Sequence, residues 1–600
     1  MADRYKKPEK RGRRPVNNGK KQTSTATILL FIALLCALTF FVWKNATVEV
    51  ETDISAPPSG HIPDPIPSGS ELPNPDPNLP PNSQTTPEPL WDFAPFSVES
   101  TLPSKLIRST DIQIDGQIVE SFAASEEERI DFGFGRDYTS VEGILTFRGN
   151  NFRDSASYGF ANIVQRTMQG KWQVTSGALT APDNETWTGS GWVGQPLIVK
   201  WPQETRRIMN MYDWAKNKDG LVEVIYATMD GYVYFLDLDT GEKTRDSLFL
   251  GFTFKGAGAL DPRGYPILYL GAGYNSSKGA SRAFIVSLID GSVMYEFGNG
   301  DSFALRQWPM FDGSPLVDAE TDQLIYPSEN GVIYIIKLNT QYDPQAGMLS
   351  VNPTRMLKWR YNGVRTGGAY WLGMEASPVI WRGHLITPDN GGNLMCIDLN
   401  TLEVVWAQDV LDDTNCTPVL ELENGHPYIY ISTSFHDGWR AYAGQTAPIP
   451  IWKIDAVTGE IVWRRDYDCH TVNGTSGGVQ GTLAIGKYNL SDLIFVPVAR
   501  TPSGSAGLLV ALDKQTGEEV WRVETMMYAW SSPVAVYDAE GNGYIILCTT
   551  GGYMHLLDGR TGLALTHLDL GSNIEASPAV YNSTVVVGTR GQKIWGISLQ

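Results

Sequence analysis

The chain has 600 residues, 42% of them hydrophobic and 11% aromatic, and a formal net charge of −19 at pH 7. That balance excludes both a disordered polyelectrolyte and the basic footprint of a nucleic-acid-binding protein. Its five cysteines include no C-x-x-C pair and no adjacent pair, which excludes zinc-ribbon and thioredoxin-like chemistry.

Residues 1–21 hold nine Lys or Arg against Asp3 and Glu9, a net of +7, and leave −26 for the rest of the chain. Residues 26–43 then read ATILLFIALLCALTFFVW, eighteen residues without a charge, with Trp43 and Lys44 at the far end. The run is long enough to cross a bilayer and long for a cleaved signal peptide, and no small-x-small cleavage site follows it. The expectation is a basic cytoplasmic tail at 1–21 and a transmembrane helix at 22–44. By the positive-inside rule, the remainder lies outside the cell, so the membrane is one expected partner. Residues 45–95 include PPSGHIPDPIPSGSELPNPDPNLPPNSQTTPEP. Proline at this density removes backbone donors and favours extended polyproline II, so a spacer is expected there.

Residues 96–170 show no repeat and weak periodicity. Within them, residues 141–159 read VEGILTFRGNNFRDSASYG. This stretch is expected to plug or cover a larger body, with Arg148 and Arg153 pairing with acids and Phe147 and Phe152 packing.

From residue 171 to the end the chain rewrites one unit. Its clearest copy is WKIDAVTGEIVWRRDY at 452–467. Trp452, Ile454 and Ala456 alternate with Lys453 and Asp455, the period of a half-buried strand. Asp455 is placed to accept bonds from the turn, Gly459 supplies its positive φ, and Trp463 must dock on something adjacent. Further copies begin at Phe235, Ser287, Ile336, Cys396, Ala511 and Leu556, and WGISLQ ends the chain. Each is preceded by an apolar strand that opens with small residues and usually Pro, as in Gly313-Ser314-Pro315, Ala376-Ser377-Pro378 and Ala576-Ser577-Pro578. Residues 256–260 and 476–479 fill two gaps less closely. Eight units at spacings of 40 to 63 residues predict an all-β, eight-bladed propeller over 171–600. The last unit lacks an outer strand. Residues 170–174, GKWQV, are expected to supply it from the N-terminal side and close the ring.

The small-Ser-Pro-Val, Gly-turn, Asp, Thr-Gly, Trp pattern resembles the pyrroloquinoline-quinone-like (PQQ-like) repeat of quinoprotein-type propellers, over about residues 172–600. The aromatic, Arg- and Asn-rich stretch ahead of it resembles membrane-anchored surface proteins of Gram-positive bacteria. The resemblance implies the propeller but not its chemistry, because the repeat occurs in alcohol dehydrogenases, outer-membrane assembly scaffolds and surface proteins. Quinoprotein dehydrogenases typically carry an adjacent-cysteine disulfide, a calcium held by Glu, Asn and Asp, and a catalytic Asp. Here no cysteines are adjacent, and no calcium-ligand set can be placed on corresponding loops. Acidic turns at 237–242 and 538–542 fall where the repeat needs turns. No cofactor is therefore expected, neither PQQ nor calcium. Cys416 and Cys469 lie near the starts of neighbouring blades, where a bond between them is an open alternative to two free thiols.

In a propeller, the loops from each outer strand to the next inner strand share one face with the loops joining second and third strands. Several of these are long and aromatic. The expected ligand-binding residues are Arg306, Trp308, Trp371, Glu375, His436, Trp439, Arg440, Trp530 and Glu575, a mixture suited to stacking on sugar rings and bonding hydroxyls. The expected function is a membrane-tethered, non-catalytic binding or scaffolding module at the cell surface. Its ligand would be a cell-wall glycan or a surface protein, and its partners include no nucleic acid. The alternative is a quinone-dependent oxidoreductase.

Overall fold

In the repeat hairpin, each Asp at the end of the third strand accepts hydrogen bonds from the turn it starts. Asp455 Oδ1 takes the amides of Val457 and Thr458 at 2.8 and 3.0 Å, and Gly459 follows at φ +74°. Asp513 and Asp558 do the same, each also taking the hydroxyl of its turn threonine, Thr516 or Thr561. The tryptophan of the outer strand reaches the equivalent turn of the next blade. Trp172, Trp406, Trp463 and Trp521 donate Nε1–H to the carbonyls of Leu238, Ala456, Lys514 and Gly559. Their rings lie flat against Gly241, Gly459, Gly517 and Gly562, where a Cβ would fall 2.6–2.7 Å from indole carbons. The turn glycine thus answers two demands, a left-handed backbone and a seat for its neighbour's ring.

These hairpins build the ring in a computed structural model that describes residues 93–365, 371–436, 445–472 and 476–600. The expected tail and transmembrane helix and nearly all of the expected linker fall outside the described residues. Among the described residues no helix is long and apolar enough to cross a membrane. Eight antiparallel sheets follow in chain order. Their inner strands are Leu197–Val199, Ala259–Leu260, Leu316–Asp318, Val379–Trp381, Val419–Glu423, Ala484–Ile485, Val534–Tyr537 and Ala579–Tyr581. The eighth blade takes its outer strand, Met168–Thr175, from ahead of the first blade, paired antiparallel with Lys593–Leu599. This is the closure expected from GKWQV. The strand Thr446–Asp455 is covered on both faces over most of its length, so the half-buried expectation for Lys453 fails. Lys453 is buried, with its ammonium 2.6 Å from Glu423 Oε2 and 3.1 Å from the Lys514 carbonyl.

Inner strands of neighbouring blades do not pair with one another, and the small-Ser-Pro motif bridges the gap. The amide of Ser314 donates to Ser377 Oγ, that of Ser377 to Thr417 Oγ1, and that of Thr417 to Thr482 Oγ1. The series continues from Thr482 to Ser532 Oγ and from Ser532 to Ser577 Oγ, and ends on the Gly194 carbonyl. Each hydroxyl satisfies an amide that the ring geometry would otherwise orphan. The ring also corrects the register of the sixth blade. Its equivalent motif is Gly481-Thr482, not residues 476–479, because Thr482 carries the bridging hydroxyl.

The N-terminal extension wraps and then plugs this body. Ile107–Ile114 and Gln117–Val119 extend the third blade outward. Residues 143–158 cross the axis and touch every blade. Gly143–Ile144 and Ser157–Tyr158 pair with the inner strands of the first and eighth. Backbone amides of Leu260, Ile380 and Leu420 donate to the carbonyls of Leu145, Asn151 and Phe152. Lys487 donates to Ser155 Oγ at 2.8 Å. The expected acid pairing of the two arginines is corrected. Arg153, fully buried, donates to Ser314 O, Pro378 O, Phe147 O and Thr146 Oγ1 at 2.8–3.0 Å. Arg148 donates to Pro533 O at 3.1 Å and Arg153 O at 3.2 Å. A guanidinium has five donors, and the carbonyls around the converging motifs offer acceptors in the directions it needs.

Candidate functional site

The residue just before each bridging motif faces the axis. Val193, Lys255, Asp312, Glu375, Asn415, Gln480, Trp530 and Glu575 hold this position in blades one to eight. All but Asp312 and Glu575 line a cavity of about 370 Å³ above the plug. The remaining wall comes from Trp187, Trp192, Tyr274, Arg306, Trp308, Glu329, Trp371, Asn390, Asp413, Ser476 and His436. Six of the expected residues therefore meet in one place: Arg306, Trp308, Trp371, Glu375, His436 and Trp530. Glu575 sits outside the lining, its carboxylate bonded to Asn573 Nδ2 at 2.7 Å and 4.0 Å from Arg590 Nε. Trp439 and Arg440 lie outside the described residues.

Lys255 is the centre of one wall. Its ammonium stands 4.8 Å from the Trp187 ring, 4.6 Å from Trp192 and 5.9 Å from Tyr274. It is also 3.3 Å from Asp312 Oδ2, whose side chain is 4% exposed. Burial alone would lower the lysine pKa, but Asp312, Glu329 and Glu375 outweigh it and raise the value. Glu375 accepts from Trp192 Nε1 at 2.9 Å and from Asn390 Nδ2 at 3.2 Å. Asn390 Nδ2 also reaches Asp413 Oδ1 at 2.6 Å. Arg306 holds the amide from the other side, 2.7 Å from Asn390 Oδ1, and stacks over Trp308 at 5.3 Å. Trp371 meets the His436 ring edge to face at 5.0 Å.

Crowded carboxylates set the electrostatics. Burial pushes the Asp312 carboxyl up to about 6 despite Lys255, with Glu375 adding to the rise. Glu329 is 5% exposed, and burial, then Glu375 and Asp312, drive its pKa well above the ordinary range. Asp413 rises for the same reasons, burial first and Glu375 second. Glu329 Oε1 finds no hydrogen-bond donor.

Oxygen atoms of Asp312, Glu329 and Glu375 lie within 4.8 Å of one another. That donor set suits a hard cation, but any ion bound there would compete with the Lys255 ammonium for Asp312. No cysteine lines the cavity, and Cys396, Cys416, Cys469 and Cys548 are all free thiols. Cys416 and Cys469 do not pair. The disulfide platform of quinoprotein dehydrogenases therefore has no counterpart at this site.

Reading the sequence missed Asp312, Glu329, Asn390, Asp413, Lys255, Tyr274, Trp187 and Trp192. A signal for one of them was present, because Asp312 precedes Gly313-Ser314-Pro315 just as Glu375 precedes Ala376-Ser377-Pro378. Glu329, Asn390 and Asp413 lie in short turns whose acids and amides also read as turn chemistry.

A family model described as "Outer membrane protein assembly factor BamB" matches residues 505–600, so the last part of the ring carries that BamB-like repeat. BamB of Kangiella koreensis is 25% identical over 219 residues, 36% of this chain and 48% of that protein. The 1-butanol dehydrogenase (quinone) of Thauera butanivorans is 25% identical over 155 residues, 26% of this chain and 23% of its own. The chain thus matches less than half the length of these curated relatives. Among solved structures, BamB from Moraxella catarrhalis aligns with a TM-score of 0.43 at 14% identity, covering 72% of this chain and 98% of its own. Quinohemoprotein alcohol dehydrogenase ADHIIG from Pseudomonas putida aligns with a TM-score of 0.49 at 12% identity, covering 79% and 83%. The eight sheets describe a β-propeller, and its last part, residues 505–600, carries a BamB-like repeat.

Proposed function

We propose that this protein is a non-catalytic binding module at the cell surface and that its axial cavity holds a cell-wall glycan or a segment of a surface protein. One observation carries the reading. Five indoles, Trp187, Trp192, Trp308, Trp371 and Trp530, line a single cavity beside fixed acids and amides, and its volume falls in the range of small-molecule sites. Indole faces stack on sugar or peptide planes, while Asn390 and Glu375 are held to bond hydroxyls. The free thiols and the amino-group competitor at Asp312 favour a site that works without PQQ or calcium. The name of the matching family model, that of an assembly factor, is in keeping with binding rather than catalysis.

The test uses the full-length protein in detergent with isolated cell walls. Trp308→Ala and Trp371→Ala should each weaken retention by about 1–3 kcal/mol with an unchanged melting temperature, as for aromatic anchors in a binding site. Melting-temperature loss with intact retention would retire the cavity as the site. Dye reduction on adding PQQ, calcium and an alcohol would establish the oxidoreductase reading instead.

The proposal includes the single-pass topology, motivated by the basic tail and the uncharged run at 26–43. A reporter active only outside the cytoplasm should work when fused after Glu51 and fail when fused at Lys21. The reverse pattern would overturn this placement.

A further inference from the structure

Resting on the binding reading, we infer that the cavity selects its sugar by an acetamido group, taking an N-acetylated amino sugar in preference to a plain hexose. The seat is the neutral wall made by Asn415, Gln480 and Trp530. These residues hold the axis-facing position in three consecutive blades, five to seven, and all three line the cavity. Asn415 Nδ2 donates to Gln480 Oε1 at 2.8 Å. That single bond leaves over one acceptor, Asn415 Oδ1, and one donor, Gln480 Nε2, both buried and without a partner. Turning both amides end for end would exchange the roles and leave the same remainder. In the next blade Trp530 Nε1 is a further donor, buried and unpartnered as well.

A buried polar atom without a partner is costly, and native folds keep few of them. Three at equivalent positions on one cavity wall mark a place that a ligand completes. A secondary amide has the matching set. Its N–H donates to Asn415 Oδ1, and its carbonyl, with two lone pairs, accepts from Gln480 Nε2 and Trp530 Nε1. Trp192 meets the Trp530 ring edge to face at 6.3 Å, so indole carbons are at hand for an acetyl methyl to pack on. Glu375, on another part of the wall, accepts from Trp192 and Asn390 and keeps lone pairs for sugar hydroxyls. A peptide would bring further carbonyls against that carboxyl group, whereas an N-acetylated sugar carries one amide on a ring of hydroxyls.

Calorimetric titration of the full-length protein in detergent at pH 7.5 compares N,N′-diacetylchitobiose with cellobiose, which has hydroxyls in place of the acetamido groups. The diacetyl compound should bind at least tenfold more tightly. Gln480→Met removes the free donor at nearly constant volume, and Gln480→Glu removes it while keeping the oxygen that Asn415 Nδ2 reaches. Each variant should weaken the diacetyl compound at least tenfold, with an unchanged melting temperature in at least one of them. Equal binding of the two disaccharides, or full affinity in a folded Gln480 variant, would overturn the inference. So would N-acetylglycine methylamide binding as tightly as the diacetyl sugar, since that marks a peptide site. If neither disaccharide binds while retention on cell walls still depends on Trp371, this inference falls and the binding reading stands. Loss of both results removes both.

Discussion

Glu329 holds its proton more firmly in the fold than in the unfolded chain, because burial and the carboxylates of Glu375 and Asp312 oppose its charge. As pH rises above the ordinary carboxyl range, the unfolded chain releases this proton first, so stability falls with rising pH. Below that range both states are protonated and nothing is lost. Glu329→Gln keeps the shape and removes the titration. At pH 8, without ligand, the variant should be more stable than the parent by about 1–3 kcal/mol, the order of an uncompensated buried polar group. The gap should close near pH 4.5, as denaturant unfolding at the two pH values would read. A parent more stable at pH 8 would mean that the carboxylate is fully compensated.

Between neighbouring blades, the indole-on-glycine contact is the repeated joint. Gly459 has φ +74°, and a Cβ there would lie 2.6 Å from Trp406 ring atoms. Gly459→Ala therefore combines backbone strain with loss of the ring's seat, and a destabilisation of about 2–4 kcal/mol is expected. Trp406→Phe keeps the glycine and loses the Nε1–H bond to Ala456 O, at a smaller cost of about 1–2 kcal/mol. Chemical denaturation of both variants checks the order. A harmless Gly459→Ala would show that the ring can slide away. The turn itself was legible in Asp455, Thr458 and Gly459, because its chemistry is local. The target of the tryptophan was not, because it lies about fifty residues further along the chain.

The whole molecule depends on a strand and a plug that both precede the first blade. A chain beginning at Thr139 keeps residues 143–158 and Met168–Thr175, and it should unfold in one cooperative transition. One beginning at Gly177 loses the plug, with Arg148 and Arg153, and the strand paired to Lys593–Leu599. Its melting temperature should drop by about 10 °C or more, or folding should fail, since several buried carbonyls and a sheet edge become exposed. Equal melting temperatures would mean that the eighth blade stands on three strands.

Blade number, hairpin turns and ring closure were written in the sequence because a repeat states its period many times and each turn needs particular residues next to one another. Six of the nine expected site residues also converge, because loop position in a propeller determines which face a residue joins. The tertiary structure alone decided what surrounds them. Lys255, Asp312 and Glu329 come from loops up to 74 residues apart, and only closure of the ring turns three unremarkable turn residues into a buried charge cluster. The partners of Arg148 and Arg153 were decided in the same way. A sequence displays side-chain charges, so acids looked like the natural partners. The backbone carbonyls that bind these arginines are common to every residue and become a site only when the inner strands converge on the axis.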